Sequence, residues 1–208
     1  MTWRAAITYS VRMNPESLLA KYFTPLALAI ILEHSRNVAR KALAIAASSP
    51  LAKQLDTAFI AEAALLHDIG VSQTDAPGLG CHGTEPYIRH GILGRAILEQ
   101  EGLPRHALVC ERHIGVGLTV ADIRQQNLPL PLRDMLPVSL EERIVAAADL
   151  FYSKKKNALS VEKSVDRIRT DLEKFGADKV AVFERWLEEF KIPEGPDPVG
   201  IPGGRIGE

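Results

Sequence analysis

Apolar residues along this chain recur at three- and four-residue spacing, and the strict alternation that a half-buried strand needs is almost absent. The clearest stripe is Ala27, Ile30, Ile31, His34, Val38, Ala42 and Ile45, which predicts a long helix starting at Thr24-Pro25 and running to about residue 48. Before it, Asn14-Pro15 is an N-cap and first-turn pair for a short helix over 15–22. Asp56 is placed to cap a third helix, expected to end at Gly70. Residues 71–87 hold Pro77, Gly78, Gly80, Gly83 and Pro86 and read as a long loop, a setting that often carries function. Helix resumes over "YIRHGILGRAILEQ", stops near Gly102, restarts at Pro104 and ends in "HIGVG". Thr119 with Asp122, and Ser139 with Glu142, have capping-box spacing; the second pair opens a helix through "LEERIVAAADLFYSK". A last amphipathic helix is expected over roughly 161–190, with Val180, Phe183, Trp186, Leu187 and Phe190 on one side, available to the core or to a second copy in a homodimer. The pattern predicts an all-α helical bundle, one domain over 1–191. The Pro- and Gly-rich tail, 192–208, is expected to be disordered.

Composition narrows the class. With 208 residues, 46% of them hydrophobic, the chain is long enough for one sizeable core. Its 25 basic and 26 acidic residues nearly cancel, so no bulk field attracts a polyanion and a nucleic-acid partner is not expected. Cys81 and Cys110 form no CxxC pair and no disulfide framework, which points to reduced thiols in a cytoplasmic setting. The first residues lack the apolar run of a signal peptide, and charges interrupt every apolar stretch before a membrane-spanning length.

Candidate chemistry lies in polar residues at apolar positions. His34 sits in the stripe of its helix, four residues from both Ile30 and Val38. Asp149 follows three alanines and shares a face with Val145, Ala148 and Tyr152. "ALLHDIG" places His67 and Asp68 together at the end of a greasy helix, where a negative helix pole disfavours a carboxylate unless something positive is beside it. Each alone has an ordinary structural explanation, a hydrogen-bonded core histidine or an arginine-paired aspartate. Together they supply what a bundle needs to hold a cation, because a buried carboxylate must be paired, protonated or bound to a metal.

The order His34, His67-Asp68, Asp149, with the strings "LLHDIG" and "AAADLFYS", resembles the HD superfamily of metal-dependent phosphohydrolases over about residues 25–155. His90 in "IRHGILGRAIL" and His113 in "CERHIGVG" fall where members with a second metal carry further ligands, as in the small HDIG proteins. The resemblance implies a first metal on His34, His67, Asp68 and Asp149, with Asp68 bridging to a second on His90 and His113. It also implies one or two divalent transition metals, with Fe, Mn, Co, Ni and Zn all suited to imidazole and carboxylate. Many HDIG proteins have a lysine or arginine after the glycine; here the position is Val71.

The implied activity is hydrolysis of a small phosphomonoester or phosphoanhydride, such as a nucleotide, with Asp68 as catalytic proton acceptor. His82, Arg89, Arg112 and Lys154 are the candidates to meet the substrate; His82 on its loop equally suits a solvated surface, and a run such as "SKKK" is usually a solvated helix face, Lys154 being kept for its place one turn after Asp149. Two other readings stay open: a non-catalytic metal- and nucleotide-binding regulatory module, and a helical interaction domain with a structural polar core.

Overall fold

The computed structural model describes residues 13–155 and 158–194; the predicted tail beyond 194 and Lys156 lie outside these. Helix α1 (Pro15–Tyr22) and helix α2 (Pro25–Ser48) begin as expected, with the Asn14 side chain accepting from the Ser17 amide and Thr24 from Ala27. Proline in each first turn loses no hydrogen bond, because that amide has no helical partner. Helix α3 (Thr57–Leu66) is capped by Asp56, whose carboxylate accepts from the Phe59 amide. It stops four residues earlier than the sequence suggests. His67 is its C-cap, Asp68 leaves helical geometry, and Ile69–Gln73 form a 3-10 turn.

The expected 71–87 loop has structure of its own. Strands β1 (Asp75–Ala76) and β2 (Cys81–His82) pair antiparallel around a turn at Pro77–Leu79 whose reversal uses Gly80 at φ 73°. Helix α4 (His90–Gln100) then packs against α5 (Pro104–Arg112). Helix α6 (Val120–Gln125) carries the reciprocal Thr119–Asp122 capping box. At α7 (Leu140–Leu150) only half of the box forms: Ser139 accepts from the Glu142 amide, while the Glu142 carboxylate turns to the Val138 amide and to Arg112. The predicted last helix is two, α8 (Val165–Glu173) and α9 (Ala177–Phe190), because Gly176 at φ 128° breaks the helix between them.

Two apolar clusters fill the interior. One gathers Val38, Ile45, Ile60, Val145, Phe151 and the α9 residues Phe183, Trp186 and Phe190, so the apolar face of α9 is spent within the chain. The other gathers Leu19, Ile31, Leu66, Ile69, Leu98 and Cys110. Helix α2 runs from the second to the first, and His34 falls between Ile31 of one and Val38 of the other. Among the described residues no helix is long and apolar enough to cross a membrane, and both cysteines are free and buried.

Candidate metal centre

The site is assembled from the seam between these clusters. His67 ends α3 and His113 ends α5, and each turns its Nδ1–H back to a last-turn carbonyl that the helix leaves without a partner: Ala64 at 2.7 Å and Cys110 at 2.8 Å. His90, at the start of α4, donates in the same way to the Tyr87 carbonyl at 2.7 Å. In each neutral ring Nε2 is then the lone-pair nitrogen, and this is the tautomer that ligates a cation.

Asp68 lies where these nitrogens converge. Its Oδ2 is 3.0 Å from His67 Nε2 and 3.3 Å from His34 Nε2, and Asp149 Oδ1 is 3.0 Å from the same His34 nitrogen and 3.4 Å from that of His67. The other oxygen, Oδ1, is 3.7 Å from Nε2 of both His90 and His113, which are 3.1 Å from each other. Two ligand-type groups result, His34 with His67 and Asp149, and His67 with Asp68 and His113, the potential ligand atoms within each all less than 4.8 Å apart.

Close backbone packing makes this convergence possible. A methyl group on Gly70 would stand 2.0 Å from the His90 carbonyl oxygen and 2.3 Å from the Gly94 amide, so only glycine lets the turn after Asp68 press on the start of α4. Cys110 Sγ donates to the His67 carbonyl at 2.8 Å and fills the space that a side chain on Gly94 would need.

A divalent cation fits this donor set. The Nε2 atoms of His34 and His67, Oδ1 of Asp68 and Oδ1 of Asp149 are buried without a satisfactory hydrogen bond, so acceptor faces acceptor across the seam. Leaving such groups uncompensated costs several kcal/mol. Without a metal, protons and one lysine carry the compensation. Burial disfavours the His67 imidazolium, but the Asp68 and Asp149 carboxylates outweigh this and raise its pKa to about 10. Burial and the neighbouring His113 push His90 down to about 3. Both aspartates are held ionised: burial opposes this, but His67 and Lys154 beside Asp68, and Lys154 and His34 beside Asp149, prevail.

Lys154 Nζ is 2.7 Å from Asp68 Oδ2, with its side chain only 14% exposed, so this lysine of the "SKKK" run is no part of a solvated face. Burial would strip its proton, yet Asp68, Tyr87 and Asp149 keep its pKa above the ordinary lysine value. It lines an open cleft of about 590 Å³ with Asp75, Leu79, Tyr87, Ser153 and Lys155. The sequence reading overlooked Tyr87, whose ring stacks at 4.8 Å on that of His90, and it overlooked the β1–β2 turn; the available signal was an aromatic three residues before a candidate ligand histidine.

The remaining candidates are elsewhere. Arg112 is clamped by both oxygens of Glu142 at 3.0–3.2 Å, tying α5 to α7. Arg89 pairs with Glu85 at 2.9 Å. His82 is exposed on β2, opposite the cleft residue Asp75. His106 packs edge-on against Phe59 and faces Glu62, away from the cluster.

The family model for the HD domain matches residues 31–153, which contain every member of the cluster, and the chain belongs to the HD-domain family. An uncharacterised protein of Methanocaldococcus jannaschii is 39% identical over 121 residues, 57% of this chain and 64% of that protein. Two tRNA (cytidine(56)-2'-O)-methyltransferases are also similar: that of Picrophilus torridus is 35% identical over 58% of this chain and 30% of its own, and that of Thermoplasma volcanium 30% identical over 76% of this chain and 41% of its own. The matches thus span less than two thirds of each of these relatives. No solved structure matches the chain.

Proposed function

We propose that this protein is a metal-dependent phosphohydrolase that cleaves a small phosphomonoester or phosphoanhydride, a nucleotide being the substrate class that suits it best. The observation that carries the reading is the division of Asp68, one oxygen toward His34, His67 and Asp149 and the other toward His90 and His113. In this reading those six residues hold one or two divalent transition metals, which when bound lower the pKa of water and neutralise phosphoryl charge. The chain supplies the rest. Three of the four histidines are held by main-chain carbonyls, so the donor set is organised before a ligand arrives. Hydrolysis forms a bond from water oxygen to phosphorus and breaks the bond to the leaving oxygen; Asp68 is assigned the water proton. Lys154 and Lys155 face the open cleft as counter-charges for the phosphate, and the exposed part of Tyr87 is a platform for an attached ring.

The similarity to tRNA methyltransferases favours no nucleic-acid substrate for this segment, because most of each of those chains lies outside the match. In our reading tRNA recognition belongs to that remainder. The test is metal analysis of protein purified without chelator, followed by turnover of nucleoside mono-, di- and triphosphates with each candidate metal. About two ions per chain and metal-dependent phosphate release are expected. Tight nucleotide binding without release under any metal would make the regulatory module the correct reading, and no metal uptake would leave the helical interaction domain.

A further inference from the structure

Lys154 reaches the cluster from beyond α7, which ends at Leu150, and lies outside any helix. A long flexible side chain on a free loop would be a poor phosphate ligand, because ordering it costs entropy. This segment is tied down at both ends. Lys163 donates its amide to the Phe151 carbonyl at 2.8 Å, closing the loop at its base. Asn37 Nδ2 donates to the Leu159 carbonyl at 3.0 Å. Between them lies an ion pair of a buried lysine and a half-buried glutamate: Lys41 Nζ meets Glu162 Oε1 at 2.9 Å and stands over the Phe151 ring, 4.5 Å from its centre. The other Glu162 oxygen accepts from the Tyr152 hydroxyl at 3.1 Å.

Lys41 is 2% exposed, and Asn37, Lys41 and His34 stand on the same helix, α2. The loop that carries Lys154 and the cluster it approaches therefore share one rigid frame. Burying the Lys41 charge costs desolvation that an ion pair seldom repays over apolar packing, so its use here points to geometry. Resting on the hydrolytic reading above, we propose that Lys154 is the group that binds the substrate's phosphoryl oxygens, and that Lys41 and Glu162 are the positioning residues that aim it. The ammonium has three donors and meets Asp68 and the Tyr87 hydroxyl; what remains serves an anion arriving through the cleft.

The test is a mutant cycle on metal-loaded protein with inorganic phosphate as the probe, read by calorimetry, with metal content and melting temperature measured alongside. Removing one partner of a buried pair can unfold a protein, so the variant is the apolar double replacement, Lys41→Met with Glu162→Leu. It is expected to keep its metal and its fold while binding phosphate about tenfold more weakly, as does Lys154→Met. Combining all three is expected to weaken binding no further, because the pair acts through Lys154. For a phosphorylated substrate KM rises in the double variant with kcat little changed. Phosphate affinity equal to wild type in the double variant, or a loss that simply adds to that of Lys154→Met, would overturn the proposal. The expected cycle in a protein that hydrolyses nothing would sustain the aiming of Lys154 and overturn hydrolysis. Metal uptake with neither phosphate binding nor turnover would overturn both.

Discussion

The two oxygens of Asp68 look onto unlike halves of one cluster. On the Oδ2 side stand two histidines, a second carboxylate and Lys154, carried by α2, α3, α7 and the segment after it. On the Oδ1 side, among the described residues, stand His90 and His113, from the start of α4 and the end of α5. The difference shows in protonation: carboxylates raise His67 to about 10 against its burial, while burial and a neighbouring imidazole drop His90 to about 3. Dense negative charge makes the first half attractive to any cation. The second half offers lone pairs with little charge behind them, so it depends on Asp68 for whatever charge it has. The two halves are therefore expected to differ in metal affinity, the first binding more tightly.

Asp68→Ala is the largest perturbation, since it removes the group both halves share. Metal content is expected to fall toward zero and phosphate release to drop roughly 1,000-fold; a variant retaining both would break the comparison at its root. Next come single-half variants. His90→Ala or His113→Ala is expected to remove one ion per chain and leave the other, whereas Asp149→Asn loosens the tighter ion. Stepwise chelation followed by metal analysis checks the order, and wild-type protein releasing both ions in one step would erase the asymmetry. Gly70→Ala should cost about 1–3 kcal/mol in denaturant unfolding, because the new methyl drives into the His90 carbonyl, and the His90 half should lose metal first.

The smallest effect lies outside the cluster and serves as its control. Burial lowers the His106 pKa below 6.5, only partly opposed by Glu62. The folded state therefore binds this proton less readily than the unfolded state. Its share of stability is complete above about pH 6.5 and is lost as pH falls below that value. His106→Gln should flatten the loss of stability as pH falls below about 6.5, without changing metal content. A change in metal content would place His106 in the site after all.

Much of the fold was legible because helix signals are local. Asn14-Pro15, Thr24-Pro25, Asp56, Thr119 and Ser139 all cap the helices their sequence predicted, since a cap is decided by a side chain and an amide two or three residues away. Helix ends were less legible. Leu66 rather than Gly70 closes α3, because the chain must turn there to bring Asp68 between two histidines and Gly70 against α4. The single long final helix was an over-extension: residues on both sides of Gly176 keep amphipathic spacing, and only backbone geometry reveals the break.

The site divides in the same way. By itself the sequence determined that His34, His67, Asp68, His90, His113 and Asp149 are polar groups set among apolar or small neighbours, because periodicity is a property of the chain alone. Tertiary structure decided which oxygen of Asp68 meets which histidines, that Arg112 is spent on Glu142, and that Lys154 turns inward to Asp68. These outcomes depend on contacts between distant residues, such as Asp68 with His90, 22 positions apart, Arg112 with Glu142, 30 apart, and Lys154 with Asp68, 86 apart, and no local pattern encodes the distance across a folded seam.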